Sequence, residues 1–202
     1  MVRMIFLILF VACPSAFGQN CIACSQHLVY FMTDTSQPIW TYLRNDTTGI
    51  YCDAYEMRRA DGDNVIYRQT ELQGWKLLTS DIYMWTFQDQ NTMYRIERQE
   101  RPDFDYIKYT MRKVYGHPIL WCTIVSMQID WVKISSHKTG PENTTLYHLE
   151  LLVYDRDIHK DLQPCIREYR NRVVFPQYAK HIIDTLYDKN KCQGARDLLK
   201  EL

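Results

Sequence analysis

The chain has 202 residues, with 24 lysines and arginines against 24 aspartates and glutamates, and 15 tyrosines. The balanced charge leaves no basic field for nucleic acid or anionic lipid, and the length suits one domain with a real core. Beyond the N-terminus no segment approaches the roughly 18 apolar residues that a membrane span needs, and nothing is repeated or of low complexity.

The chain opens MVRMIFLILFVACPSAFGQN. Arg3, an apolar run from Met4 to Cys13 and the small residues Ala16 and Gly18 predict a secretory signal peptide cut after Gly18. The run is too short for the competing reading, a membrane anchor. The expected organisation is a leader over 1–18 and one mature, soluble, extracellular domain over 19–202. Without Arg3 and Cys13 the mature chain carries 23 basic and 24 acidic residues and six cysteines: Cys21, Cys24, Cys52, Cys122, Cys165 and Cys192. An even count in a secreted chain predicts three disulfides, with the pairing open. Asn45 in NDT and Asn143 in NTT are glycosylation sequons, expected on exposed turns.

Strand-like runs follow: HLVYFMT, GIYCDAYEM, NVIYRQTEL, WKLLTSDIYMWTF, TMYRIERQ, DYIKYTMRKVY, ILWCTIVSMQIDWVKIS and LYHLELLVYD. RNDTTG, RADGDN, QDQN, RPDF, YGHP and KTGPEN separate them with turn chemistry. About eight closely spaced strands predict an all-β antiparallel barrel or sandwich. QPIW, just after the first run, reads as the mouth of a small-molecule pocket, with Gln37 and Trp40 as candidate contacts. Packing at the barrel floor is the competing role for Trp40. The tail then changes period. Leu162, Ile166 and Tyr169, and after Pro176 Tyr178, Ile182 and Leu186, mark two amphipathic helices. An eight-stranded meander followed by helices packed outside it is a lipocalin-like plan, with room for one small ligand.

Catalytic and metal chemistry find little support. There is no nucleophile elbow, no phosphate-cradling glycine loop and no His-Glu-x-x-His, and the six histidines are scattered. CIACSQH lacks the βαβ context of a redox motif and a fourth metal ligand. YDRDIHKD reads as a solvated turn before a helix rather than a metal cluster. No enzyme activity, cofactor or metal is expected.

Four features resemble the tick salivary lipocalins of the histamine-binding-protein family. VYFM resembles the family's opening strand. QPIW is similar to its acidic-Pro-x-Trp, with Cys52 twelve residues past Trp40. LELLVYD resembles the Glu-Leu-Trp strand and is followed by PCIREY, similar to the family's cysteine and helix start. Cys192 sits near the C-terminus. The resemblance implies Cys52 paired with Cys192 and Cys122 with Cys165, leaving Cys21 and Cys24 to pair with each other or with a second molecule. Cysteines bonded to a tail outside the barrel must face outward. Alternation then turns Tyr51, Asp53, Tyr55 and Met57 inward, and likewise Trp121, Thr123, Val125 and Met127, provided no bulge intervenes. In the last strand Glu150 shares a face with His148, Leu152 and Tyr154. Tyr147, Leu149, Leu151 and Val153 form the more apolar face, and the resemblance favours Glu150 inward.

Family members that hold histamine use several acids and stacking aromatics. Here Gln37 replaces the acid before the proline, and an amide does not neutralise an ammonium. With Tyr, Trp, Met, Val and Leu as the other inward candidates, the expected hollow is apolar and short of negative charge, suited to a sterol-like ligand such as cholesterol. Asp34, Asp53 and Glu150 could supply the missing charge for the alternative, a scavenger of histamine or serotonin; a lipid mediator is the other alternative. Resemblance to the japanin-like branch implies modulation of host immunity through dendritic cells, with a host immune-cell surface protein as partner and a monomer or homodimer as the acting form.

Overall fold

The computed structural model describes residues 27–34, 37–45, 50–73, 77–99, 104–117, 121–133, 144–173, 184–188 and 191–192. The expected leader, Cys21, Cys24 and Asn143 lie outside them. In chain order the elements are α1 (Leu28–Met32), β1 (Ile39–Arg44), β2 (Ile50–Asp61), β3 (Asn64–Gln73), β4 (Leu77–Asp89), β5 (Thr92–Arg98), β6 (Tyr106–Gly116), β7 (Cys122–Val132), β8 (Thr144–Tyr154), α2 (Gln163–Val173) and β9 (Asp184–Thr185). Strands β2 to β8 pair antiparallel, each with the next. β1 closes the ring by pairing with both β8 and β2. This is an eight-stranded up-and-down antiparallel barrel of lipocalin type with a helix packed outside, as expected.

Two elements differ from expectation. HLVYFMT forms α1 instead of the first strand, and the barrel's first strand is β1, within the stretch read as a pocket mouth. α1 is apolar all round because it plugs one end of the barrel. Leu28, Phe31 and Met32 are buried, and the Tyr67 and Tyr154 hydroxyls donate to the Met32 and Phe31 carbonyls, each at 2.6 Å. A short run of apolar residues, with Tyr30 exposed among them, has no polar positions whose spacing would separate helix from strand. The second expected tail helix is also corrected in part. Tyr178 and Ile182 lie outside the described residues, but the segment before Leu186 is β9, extended along β1.

Both implied disulfides are present, Cys52–Cys192 and Cys122–Cys165. They hold the tail against an outer core in which Leu149, Leu151 and Val153 meet Leu162, Tyr169 and Val173 under α2. Tyr169 donates its hydroxyl to the Leu149 carbonyl at 3.0 Å. Trp40 belongs to this outer core, edge-on to Tyr187, with Nε1 donating to Asp155 at 2.8 Å.

Two bulges set which residues point in. On β2, Cys52 adopts φ +52°, and the register against β3 shifts between Tyr51 and Ala54. The extra residue turns the strand's alternation, so Tyr51 packs with the outer core while Asp53 and Tyr55 stay inside. The inward expectation for Tyr51 therefore fails through the bulge its derivation excluded. On β1 a shift between Thr41 and Leu43 puts Tyr42 and Leu43 outside and delivers Arg44 to the interior.

Candidate functional site, a charged chamber in the open half of the barrel

The interior changes character along nearly every strand. At the α1 end the inward positions are apolar: Val65 and Tyr67 on β3, Phe87 on β4, Met93 on β5, Met111 on β6 and Leu152 on β8. Toward the other end, the period-2 partners become Gln69 and Glu71, Trp85 and Tyr83, Arg95 and Glu97, Tyr109, and Glu150 and His148. β7 alone stays apolar, through Val125, Met127 and Ile129. The charged half encloses a cavity of about 280 Å³, at the small end for a ligand pocket.

A continuous polar chain runs along one wall. His148 Nε2 lies 3.0 Å from Glu150 Oε1, which also accepts from Arg44 Nε at 2.8 Å. Arg44 Nη2 reaches on to Asp53 Oδ2, where Thr41 also donates. Gln69 Nε2 then bridges Asp53 Oδ1 at 3.0 Å and Glu71 Oε1 at 2.9 Å. Arg44, Asp53 and Glu150 are each at most 5% exposed, so these are ion pairs without water to screen them.

Electrostatics follow from having four acids, Asp53, Glu71, Glu97 and Glu150, around two guanidiniums, Arg44 and Arg95. Burial works against ionising Glu150, but Arg44 and the His148 contact outweigh it and hold its carboxyl down to about 2. Burial lifts the Asp53 carboxyl above its ordinary value, against the pull of Arg44, Gln69 and Thr41. Glu71 is pushed up to about 7, by burial first and then by the charge of Asp53. Burial also raises the Tyr109 hydroxyl to about 12. A site where one acid is fully ionised and another titrates near neutrality has an unmet demand for positive charge.

On the opposite wall Arg95 lies between aromatic rings. Its guanidinium carbon is 3.7 Å from the Tyr83 centroid, 4.1 Å from that of Tyr109 and 5.3 Å from that of Trp85. The cage thus already holds a cation. Arg95 pairs with Glu97 at 3.0 Å without hydrogen-bond geometry, so Arg95 Nε and Nη1 and Glu97 Oε1 have no hydrogen-bond partner. The same holds for Glu150 Oε2 and Trp85 Nε1, both buried at the cavity. Buried polar atoms are normally satisfied. A chamber with several orphaned acceptors and donors is shaped for a polar guest or for water.

Of the residues singled out from sequence, Tyr55, Met127 and Glu150 line the chamber, and Asp53 lies buried behind it. Val125 is interior but sits among the plugged-end side chains, and Met57 packs beside them. Trp121 is at that end too, 5.6 Å from the Tyr154 ring. Trp40 is outside, as described. Gln37 is not at a pocket mouth: its Oε1 accepts from the Arg156 backbone N–H at 2.8 Å. Asn45 is not on an exposed turn: it is 1% accessible, with Oδ1 accepting from the Leu149 N–H. The apolar hollow short of negative charge is likewise replaced by an acid-rich one. Arg44, Gln69, Glu71, Tyr83, Trp85, Arg95, Glu97, Tyr109 and His148 were not singled out as a site. Extending the period-2 count across β3 to β6 finds most of them, because Gln69 and Glu71 are in phase with Tyr67, Arg95 and Glu97 with Met93, and Tyr109 with Met111.

Among the described residues no three His, Cys, Asp or Glu side chains gather as a metal site, and no helix is long and apolar enough to cross a membrane. No family model and no curated protein sequence matches this chain. Among solved structures it is similar to the siderocalin Ex-FABP, described as functioning through dual ligand specificities. That match has 9% identity and a TM-score of 0.49, over 77% of this chain and 95% of that one. It is also similar to a deswapped triple mutant of bovine odorant-binding protein, with 12% identity and a TM-score of 0.45 over the same shares.

Proposed function

We propose that this protein is a secreted lipocalin-type binding protein, not an enzyme, that sequesters a small organic cation of the biogenic-amine class in the open half of its barrel. The observation that carries the reading is Glu150. It is a fully buried carboxylate on the chamber wall, held ionised with one oxygen bonded to Arg44 and His148, while the other, Oε2, has no hydrogen-bond partner. An ammonium donating to that oxygen gains a charge-assisted hydrogen bond of about 1.5–3 kcal/mol, and it offsets the excess of acids over guanidiniums. Tyr55, Tyr83 and Tyr109 offer ring faces and hydroxyls to the rest of such a ligand.

A sterol fits this chamber less well. Its rings would cover the acids with hydrocarbon and leave Glu97 Oε1 and Glu150 Oε2 without a donor, at a cost of several kcal/mol. The leader expected over 1–18 and the two disulfides support an oxidising, extracellular setting. In this reading the restraint of host immune cells implied by resemblance acts through removal of an amine mediator. Titration calorimetry of the purified protein with histamine and with serotonin tests the proposal, alongside mass spectrometry of its organic extract. Micromolar or tighter amine binding and an extract free of sterol are expected. A stoichiometric bound sterol with no heat from either amine would overturn it.

A further inference from the structure

The wall of the barrel parts beside the chamber. The β4–β5 ladder pairs Asp89 with Thr92, Phe87 with Met93 and Thr86 with Tyr94, and it ends there among the described residues. Beyond it β4 continues back to Leu77 and β5 on to Arg98. Each keeps its other neighbour, β3 and β6, so the split is confined to one seam. A groove of about 410 Å³ fills the seam. Its outer lips are Ile82, Met84 and Ile96, exposed by 66%, 60% and 55%. Three of its lining residues, Tyr83, Arg95 and Glu97, also line the inner chamber. Groove and chamber are therefore neighbours across one layer of side chains, with the Arg95 guanidinium on the boundary. Its ring contacts and its ion pair with Glu97 hold it there, without a hydrogen bond from Nε or Nη1.

Three exposed large apolar side chains flanking one break in a sheet call for an occupant. Continuity with the acid chamber says which. Resting on the cation reading above, we propose that the seam is a tail subsite. The ligand class is then an amphipathic amine, with its ammonium at Glu150 and an unbranched apolar tail leaving the barrel sideways between β4 and β5, over Ile82, Met84 and Ile96. Arg95 is the bar across the exit and swings aside from Tyr83 to admit the tail. A head-only amine leaves Arg95 in place. An anionic lipid of the same length is disfavoured, because its head would meet Glu71, Glu97 and Glu150.

Titration calorimetry with butylamine, octylamine and dodecylamine, each below its micelle concentration, tests the subsite, with dodecanoate as the anionic control. Each methylene that leaves water contributes up to about fourfold in affinity, and less in an open groove, so a gain on the order of a hundredfold from butylamine to dodecylamine is expected. The double variant Met84→Lys, Ile96→Lys alters only exposed side chains. It should erase most of that gain and leave butylamine affinity within about twofold. Butylamine binding with no gain in dodecylamine would overturn the tail subsite and leave the cation reading standing. A gain that persists in the double variant would also overturn it, by placing the tail elsewhere. If no amine binds and dodecanoate does, the cation reading fails and the tail subsite with it.

Discussion

The two halves of the barrel interior are built on the same strands and the same alternation, yet they do opposite things. The half against α1 is filled: Phe31 stacks on Tyr154 at 4.5 Å, and the two buried tyrosine hydroxyls there find carbonyls. The open half keeps a cavity and leaves buried atoms of Glu150, Arg95, Glu97 and Trp85 without hydrogen bonds. Interior hydrocarbon stabilises by excluding water. Interior charge destabilises unless something arrives to pair with it. The difference teaches that the plugged half supports the fold, whereas the open half carries an unmet polarity that the proposed ligand would offset.

The sharpest way to break this comparison is to cut into the plugged half. Met111→Ala removes a fully buried side chain there and is expected to cost about 2–5 kcal/mol of stability. Urea unfolding should show a lowered midpoint, while amine affinity measured well below that midpoint stays the same. A loss of affinity with no loss of stability would reverse the division of labour. The complementary change is Glu150→Gln, which keeps shape and removes charge. It should weaken amine binding by about tenfold to a hundredfold in calorimetry, as expected for a lost charge-assisted hydrogen bond. It also takes from Arg44 one of its two buried carboxylate partners, so the unfolding midpoint should fall too, and affinity is to be read well below it.

A smaller effect sharpens the picture through pH. The Glu71 carboxyl, ordinarily near 4.5, is pushed up to about 7 in the folded protein. The proton is thus held more tightly folded than unfolded. The stability this contributes is complete below about 4.5 and is lost as pH rises through about 7. An arriving cation favours the ionised form, so binding at neutral pH releases a proton. Affinity should rise by up to about tenfold from pH 6 to pH 8, and the measured heat should depend on the buffer's ionisation enthalpy. Glu71→Gln should flatten both. A pH profile that stays steep in that variant would move the titration to another group.

Much of the fold was legible because strands leave a periodic record. Seven of the eight runs read as strands correspond to β2 through β8, and Leu162, Ile166 and Tyr169 marked α2. The failures have local causes. HLVYFMT is too short and too uniformly apolar to declare its period. Asn45 satisfies a three-residue sequon, but its burial depends on Leu149, over a hundred positions away. Tyr51 was turned by a bulge at Cys52 that no alternation rule foresees. The site was less legible than the barrel: Glu71, Arg95 and Glu97 are in phase with core positions, but a charged residue in a strand ordinarily marks the solvent face, and only ring closure brings these together inside. The apolar expectation rested on one missing acid at Gln37, whereas the chamber draws its acids from four other strands.

β1 carries one more consequence. In six residues it bonds to three strands, sends Ile39, Thr41 and Arg44 to the interior and presents Trp40, Tyr42 and Leu43 to the tail. Adding or removing a single residue there would carry the guanidinium to the oily exterior face and bring an aliphatic side chain to the acids, a fault no neighbouring substitution repairs. The hairpin tip from Arg58 to Asn64, wholly solvent-facing, has no such bookkeeping. Length variation among kindred chains is therefore expected at that tip and forbidden in the short strand, which makes β1 the ruler against which both the staple to the tail and the charge of the chamber are set.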